Sequence, residues 1–136
     1  MDREIKFKGK RINHSKWIYG GCTKGIDHIS DKRRKERFYI GYMPIYIEEV
    51  YPETVCQYTG LKDIEGNKIF EGDLVEWEDV TGYEDGAGCI EWEPSHAGWF
   101  VVNDTTDIFD TVYDFDNCLR IIGNKFDNPQ LLKEMK

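Results

Sequence analysis

The sequence is short of the residues that most often carry covalent chemistry. It holds three serines, Ser15, Ser30 and Ser95, and three histidines, His14, His28 and His96. None of the serines stands in the elbow that exposes a nucleophile, and the histidines fall in segments that read as loops. Ser95 and His96 are neighbours, but they follow Pro94, which marks a turn. No glycine-rich phosphate loop opens a helix, and Gly86-Ala87-Gly88 is too little to serve as one. These absences argue against an enzyme, so no catalytic residue and no cofactor is assigned.

Closely spaced cysteines are lacking too. Cys22, Cys56, Cys89 and Cys118 are spread so widely that the nearest two lie 29 residues apart, which excludes the short spacing of a zinc knuckle. They read as reduced thiols of an intracellular protein. Asp104, Asp107 and Asp110 recur every three residues, with Asp114 and Asp116 beyond, but the run has neither the glycine nor the terminal glutamate of a calcium loop. A solvated acidic face accounts for it, and no metal is assigned. No apolar run is long enough to cross a bilayer, and the charged opening Met1-Asp2-Arg3-Glu4 leads straight into a strand pattern. A cytoplasmic location and no membrane partner are expected.

What is present is aromatic and charged. Aromatic residues make up 14% of 136 residues and are spread along the whole chain, which favours a folded protein despite 32% charged residues. The net charge of −8 hides a division: through Arg37 there are 12 Lys and Arg against 5 Asp and Glu, and beyond it 6 against 21. Such asymmetry bears on partners and solubility before it bears on fold.

Alternation with period two dominates the chain. Ile5-Lys6-Phe7-Lys8 predicts a strand with Ile5 and Phe7 inward and both lysines in water, followed by a turn and a return strand over Trp17-Ile18-Tyr19 ending at Gly20-Gly21. Thr23 to Arg37 reads as a polar connection. Phe38–Tyr42 and Ile45–Ile47 are strands broken at Met43-Pro44, where proline removes a ladder donor. Leu74–Glu78 and Cys89–Glu93 are expected to pair, with Val75, Trp77, Ile90 and Trp92 in the core and Glu76, Glu78, Glu91 and Glu93 on an exposed side. Trp99–Val102 reads as a central strand and Asn103 to Asp110 as a polar connection. Thr111–Tyr113 and Leu119–Ile122 are the last strand candidates. Asn128 as cap and Pro129 at the first helical position predict a short C-terminal helix docked by Leu131 and Leu132.

The most specific stretch runs from Gln57 to Val75. Asp63 is placed to bond the backbone two residues on, Gly66 or Asn67 to take the left-handed conformation, and the segment predicts a hairpin turning over Lys62 to Asn67 into a return strand at Lys68 to Phe70. Thr54-Val55-Cys56-Gln57-Tyr58-Thr59-Gly60-Leu61-Lys62-Asp63, then Gly66 and Ile69-Phe70-Glu71-Gly72-Asp73-Leu74-Val75, resembles the core signature of the YopX family of bacteriophage and prophage proteins. The opening, Ile5 to Lys10 with Trp17-Ile18-Tyr19-Gly20, and the close, Ile121-Ile122-Gly123-Asn124 with Asp127 to Leu132, resemble that family's ends in the same order. Lys125 stands where the family usually has an apolar residue. The resemblance implies a phage or prophage context and no particular reaction.

The architecture expected is mostly β: an SH3-like small barrel or two packed antiparallel sheets, with a hairpin-rich N-terminal lobe and a short C-terminal helix. The lobes are drawn at residues 1–54 and 55–136, or the chain is one continuous domain. The function expected is non-enzymatic protein interaction or self-assembly, with a protein partner or a homo-oligomer. Nucleic acid is the alternative partner, through Lys8, Lys10, Arg11, Lys32, Arg33, Arg34, Lys35 and Arg37. A second alternative reads the acidic C-terminal part as a mimic of DNA that occupies a host protein.

Overall fold

Strand-length runs of alternating and aromatic residues, punctuated by glycine, place most of the chain in antiparallel β-structure. The computed structural model describes residues 4–13, 16–27, 35–42, 46–78, 86–103, 106–111 and 118–134, with the backbone alone described at 26, 27, 35 and 106–111. The chain divides into two units, Met1–Tyr58 and Thr59–Lys136.

In the first unit, β1 (Phe7–Lys10), β2 (Trp17–Asp27), β3 (Lys35–Tyr42), β4 (Tyr46–Val50) and the start of β5 (Cys56–Lys62) form a sheet in the order β4-β3-β2-β1-β5. A 3₁₀ turn at Pro52–Thr54 joins β4 to β5. β2 does not stop at Gly20-Gly21 as the sequence suggests. It passes through them, because Gly21 pairs with Gly41 of β3 and a Cβ on Gly20 would lie only 2.6 Å from the Gly41 carbonyl oxygen. The glycines permit a close backbone approach inside a long hairpin instead of ending a strand. The expected polar connection from Thr23 to Arg37 therefore loses both ends to strands: Thr23–Asp27 belongs to β2 and Lys35–Arg37 to β3.

Ile18, Ile40 and Val50 are buried together, with Phe7, Cys22, Phe38 and Val55 packed around them. The inward and outward assignment at the N-terminus is corrected in two places. Ile5, ahead of β1, is 68% exposed, while Lys8 is buried. β1 lies between β2 and β5, and the Lys8 ammonium rests 4.5 Å from the centre of the Trp17 ring, which covers it. Beyond β1 the chain curls back. Arg11 bridges Val50, the Tyr51 N–H donates to the Lys10 carbonyl at 2.9 Å and the Ile12 N–H to the Glu49 carbonyl at 3.2 Å. This is one bridge and not a strand pairing, so the sheet curls without closing as a barrel.

In the second unit the rest of β5 hydrogen bonds β6 (Lys68–Phe70). β7 (Asp73–Trp77), β8 (Gly86–Glu93), β9 (Gly98–Asn103), β10 (Thr106–Thr111) and β11 (Arg120–Asn124) form an open sheet in the order β10-β9-β8-β7-β11. Of the two architectures expected, two antiparallel sheets is the one found; the SH3-like barrel is not, since the outer strands β10 and β11 do not pair with each other. β10 also occupies most of the stretch from Asn103 to Asp110 that reads as a connection in the sequence. Ile69, Val75, Trp77, Ile90, Val101 and Leu119 make the core of this unit.

Trp92 is corrected: it is 45% exposed, and its ring stands edge-on to Trp99, its cross-strand partner, at 5.0 Å. The four glutamates do not make one patch. Register sets Glu76 opposite Ala87 and Glu91 opposite Phe100, with the buried pair Leu74 and Cys89 between the two ends. The helix α1 (Pro129–Glu134) is present but is not docked as expected, for it buries no residue and Leu132 is exposed. Nor does the Asn128 side chain act as its cap. Its Oδ1 accepts the Asn124 N–H at 3.1 Å, tying the helix start back to the end of β11.

Candidate functional site

The residues of the organising hairpin turn out to be structural. Asp63 is buried, and its Oδ1 accepts the N–H groups of Glu65 at 3.0 Å and Asn67 at 2.8 Å. Its Oδ2 accepts the Ile121 N–H of β11 at 3.2 Å, while the neighbouring Ile64 N–H donates to the Leu119 carbonyl at 2.9 Å. Burial works to raise the Asp63 pKa; the hydrogen bonds from Asn67, Ile121 and Glu65 outweigh it and hold the carboxyl below its ordinary value. Asp73 repeats the device on a smaller scale, its Oδ2 accepting the Phe70 N–H at 2.8 Å. Both carboxylates are occupied by backbone donors and lie inside the fold, so they lock turns and do not present a reactive group.

Other polar clusters of the second unit are equally local. Ser95 donates its hydroxyl proton to Glu93 at 2.6 Å and stands 3.0 Å from Nδ1 of His96, all on the exposed turn between β8 and β9. The Ser95 N–H also donates to that carboxylate at 3.0 Å, and the two Ser95 hydrogen bonds hold the Glu93 pKa low. Glu93 thus pins a tight turn in which Ala97 takes φ 48°. The Cys89 thiol is buried and hydrogen bonded to Glu91 at 3.2 Å; burial first, and the Glu91 charge second, push its pKa far up. Lys125, the departure from the family pattern, sets its amine 3.5 Å from the same Glu91 carboxylate. A cleft of about 170 Å³ is lined by Ile64, Glu76, Trp77, Glu78, Cys118 and Arg120, small beside the usual ligand pocket. Among the described residues no three His, Cys, Asp or Glu side chains gather as a metal would require. Asp107 and Asp110 sit in β10, and Asp104, Asp114 and Asp116 lie outside the described residues.

The first unit carries the more distinctive surfaces, and it divides the expected basic site. Lys32, Arg33 and Arg34 lie outside the described residues, and Lys35 pairs with Asp27 in the β2–β3 ladder. Arg37 gives one guanidinium nitrogen to both carboxylate oxygens of Glu49, at 2.8 and 3.0 Å. Arg11 lies against the Glu48 carboxylate and donates to the Tyr46 hydroxyl at 2.7 Å. β4 thus supplies a glutamate to each of these two arginines. Lys8 and Lys10 lie over Trp17, at 4.5 and 5.5 Å.

Around Arg11 the sequence reading missed an aromatic ledge. Tyr42 and Tyr46 are cross-strand neighbours at the end of the β3–β4 hairpin, 58% and 45% exposed. Tyr51 and Ile12 continue it, the Tyr51 hydroxyl donating to the Ile12 carbonyl at 3.4 Å. The Tyr46 hydroxyl donates on to Glu48 at 3.2 Å. The signal was in the sequence as Tyr42 and Tyr46 flanking Met43-Pro44, but they read there only as residues of two strands.

Mostly β architecture in two antiparallel sheets with one short terminal helix is the class that this fold defines. The YopX protein family model matches residues 3–133, so the chain belongs to the YopX family. The chain is also similar to the crystal structure of protein EF1440 from Enterococcus faecalis, at 20% identity, covering 95% of this chain and 98% of that one with a TM-score of 0.54, a likeness of fold. No curated protein matches the chain. No helix among the described residues is long and apolar enough to cross a membrane.

Proposed function

We propose that the protein is a non-enzymatic assembly module, and that it associates with further copies of itself through the tyrosine ledge of the first unit. The observation that supports this is the composition of the ledge. Tyr42, Tyr46, Tyr51 and Ile12 leave large apolar surfaces in water, and Arg11 and Glu48 stand beside them with opposite charges. Tyrosine and arginine are among the residues enriched at interfaces: tyrosine brings contact area and a hydroxyl with few rotatable bonds to immobilise, and arginine brings a planar fork of donors. A patch that carries both signs of charge beside its aromatic surface is self-complementary under a twofold axis, where Arg11 of one copy faces Glu48 of the next.

The test is native mass by light scattering across a concentration series. A species at a multiple of 16.0 kDa is expected, falling to a single chain in the Tyr42→Ala/Tyr46→Ala variant. A wild-type protein that stays at 16.0 kDa at every concentration rules out self-assembly and turns the ledge toward another partner protein.

A further inference from the structure

The face of the same sheet opposite its core has a different chemistry. Residues paired across antiparallel strands point to the same side, and alternate residues along a strand share that side. The register sets Lys8 opposite Tyr19 and Lys10 opposite Trp17, so Lys6, Lys8, Lys10, Trp17 and Tyr19 share one face. Ile18 and Ile40, in the core, mark the other. Farther along, the same face carries Gly21 opposite Gly41 and Thr23 opposite Tyr39, with the Tyr39 ring close over Gly25, where an added Cβ would come within 3.2 Å of it.

Three aromatic rings therefore stand along one face, with a side-chain-free notch at the exposed Gly21 between Tyr19 and Tyr39; its partner Gly41 is buried against the Tyr46 backbone. Tyr19, Gly21 and Thr23 are exposed, and Trp17, Tyr39, Lys6 and Lys10 are half-buried. The Lys6 amine lies 5.8 Å from the Tyr19 ring centre, and the Lys10 amine 5.5 Å from that of Trp17.

We infer that this face is a binding site for single-stranded nucleic acid, with Tyr19 and Tyr39 as stacking platforms on either side of the glycine notch and Lys6 and Lys10 facing the phosphates. Two requirements of such a ligand coincide here. A strand whose bases are unpaired offers flat π-faces to rings and a regular row of negative charge to amines. A duplex offers only the charge, since its bases are stacked on each other. The site differs from the basic run at residues 32–37 of the sequence, and although Arg37 and Glu49 share its face it does not draw on Arg11 or Arg37, which β4 supplies with glutamates. It is independent of the assembly reading, and its test reads oligonucleotide binding instead of mass.

The experiment is fluorescence anisotropy of a labelled thymidine oligonucleotide, beside a duplex of the same length, at low and physiological salt. The proteins are the wild type, Tyr19→Ala and Gly21→Glu. Gly21→Glu fits the fold, because a Cβ there would meet its nearest heavy atom at 3.6 Å, and it puts a carboxylate into the notch. The expected result is binding that prefers the single strand, weakens with salt, and falls about 5- to 150-fold in Tyr19→Ala, the range for loss of one stacked base. Gly21→Glu should weaken it as well while melting at the wild-type temperature. The inference is overturned by no binding at low salt, by equal affinity for the duplex, or by variants that bind as the wild type does.

Discussion

Asp63 and Ile121 lie 58 residues apart and are joined by one hydrogen bond, from the Ile121 N–H to Asp63 Oδ2 at 3.2 Å. The same carboxylate closes its own hairpin through Glu65 and Asn67. One side chain therefore fixes both a local turn and its attachment to the edge strand β11. This explains why a turn with no reactive role is the most patterned stretch of the sequence.

Asp63→Ala should lower stability by about 2–3 kcal/mol, because it strands the Ile121 N–H in a half-buried position and removes the one oxygen that accepts both turn N–H groups, of Glu65 and Asn67. Asp63→Asn should recover part of that loss, keeping one acceptor oxygen. Urea denaturation with an unchanged slope and a lower midpoint is the expected reading.

Acid should act through the same group. The folded-state pKa of Asp63 lies below the ordinary carboxylate value of 3.8, so its stabilisation is fully present above the unfolded pKa and is lost as pH falls through the folded one. Stability of the wild type should decline from about pH 5 downward, and the decline should be shallower in Asp63→Asn. Urea midpoints measured for both proteins between neutral and acid pH check this.

The glycines of β2 and β3 should respond unequally. Gly41 has φ 152° and no room for a side chain against the Tyr46 backbone, and Gly20 has φ 153° with the Gly41 carbonyl in its way. Gly41→Ala should cost more than about 3 kcal/mol or prevent folding, whereas Gly21→Ala, with 3.6 Å of clearance, should stay within about 0.5 kcal/mol of wild type. Thermal melts of the two variants distinguish them.

Thiol labelling should follow burial. Cys56 and Cys89 are buried, and the Cys89 thiol is pushed far above its ordinary pKa by burial and by Glu91. Alkylation at neutral pH should spare both until denaturant is added, as read by mass spectrometry of the labelled peptides.

The parts legible in the sequence were those whose chemistry is local. Asp63 and Gly66 announced the hairpin, Val75, Trp77 and Ile90 announced the core faces of β7 and β8, and Pro129 announced α1. What stayed hidden depended on register. Only pairing with β3 shows that Gly20-Gly21 continues a strand, and only the fold-back of Arg11 onto Val50 brings it beside Tyr46 and Glu48. Lys8 alternates like a solvent-facing residue and is buried because Trp17 closes over it. The tyrosine ledge was illegible for a related reason: which way a strand tyrosine faces is set by its register, and the sequence alone leaves that open for Tyr42 and Tyr46.

Self-assembly through the ledge is tested most directly by charge reversal. Arg11→Glu and Glu48→Arg should each be monomeric by light scattering, since each variant opposes like charges across a twofold contact. Mixed in equal amounts, the two should form a dimer at twice 16.0 kDa, because both contacts are then attractive. Single variants that associate as the wild type does, or a mixture that stays monomeric, would contradict the account.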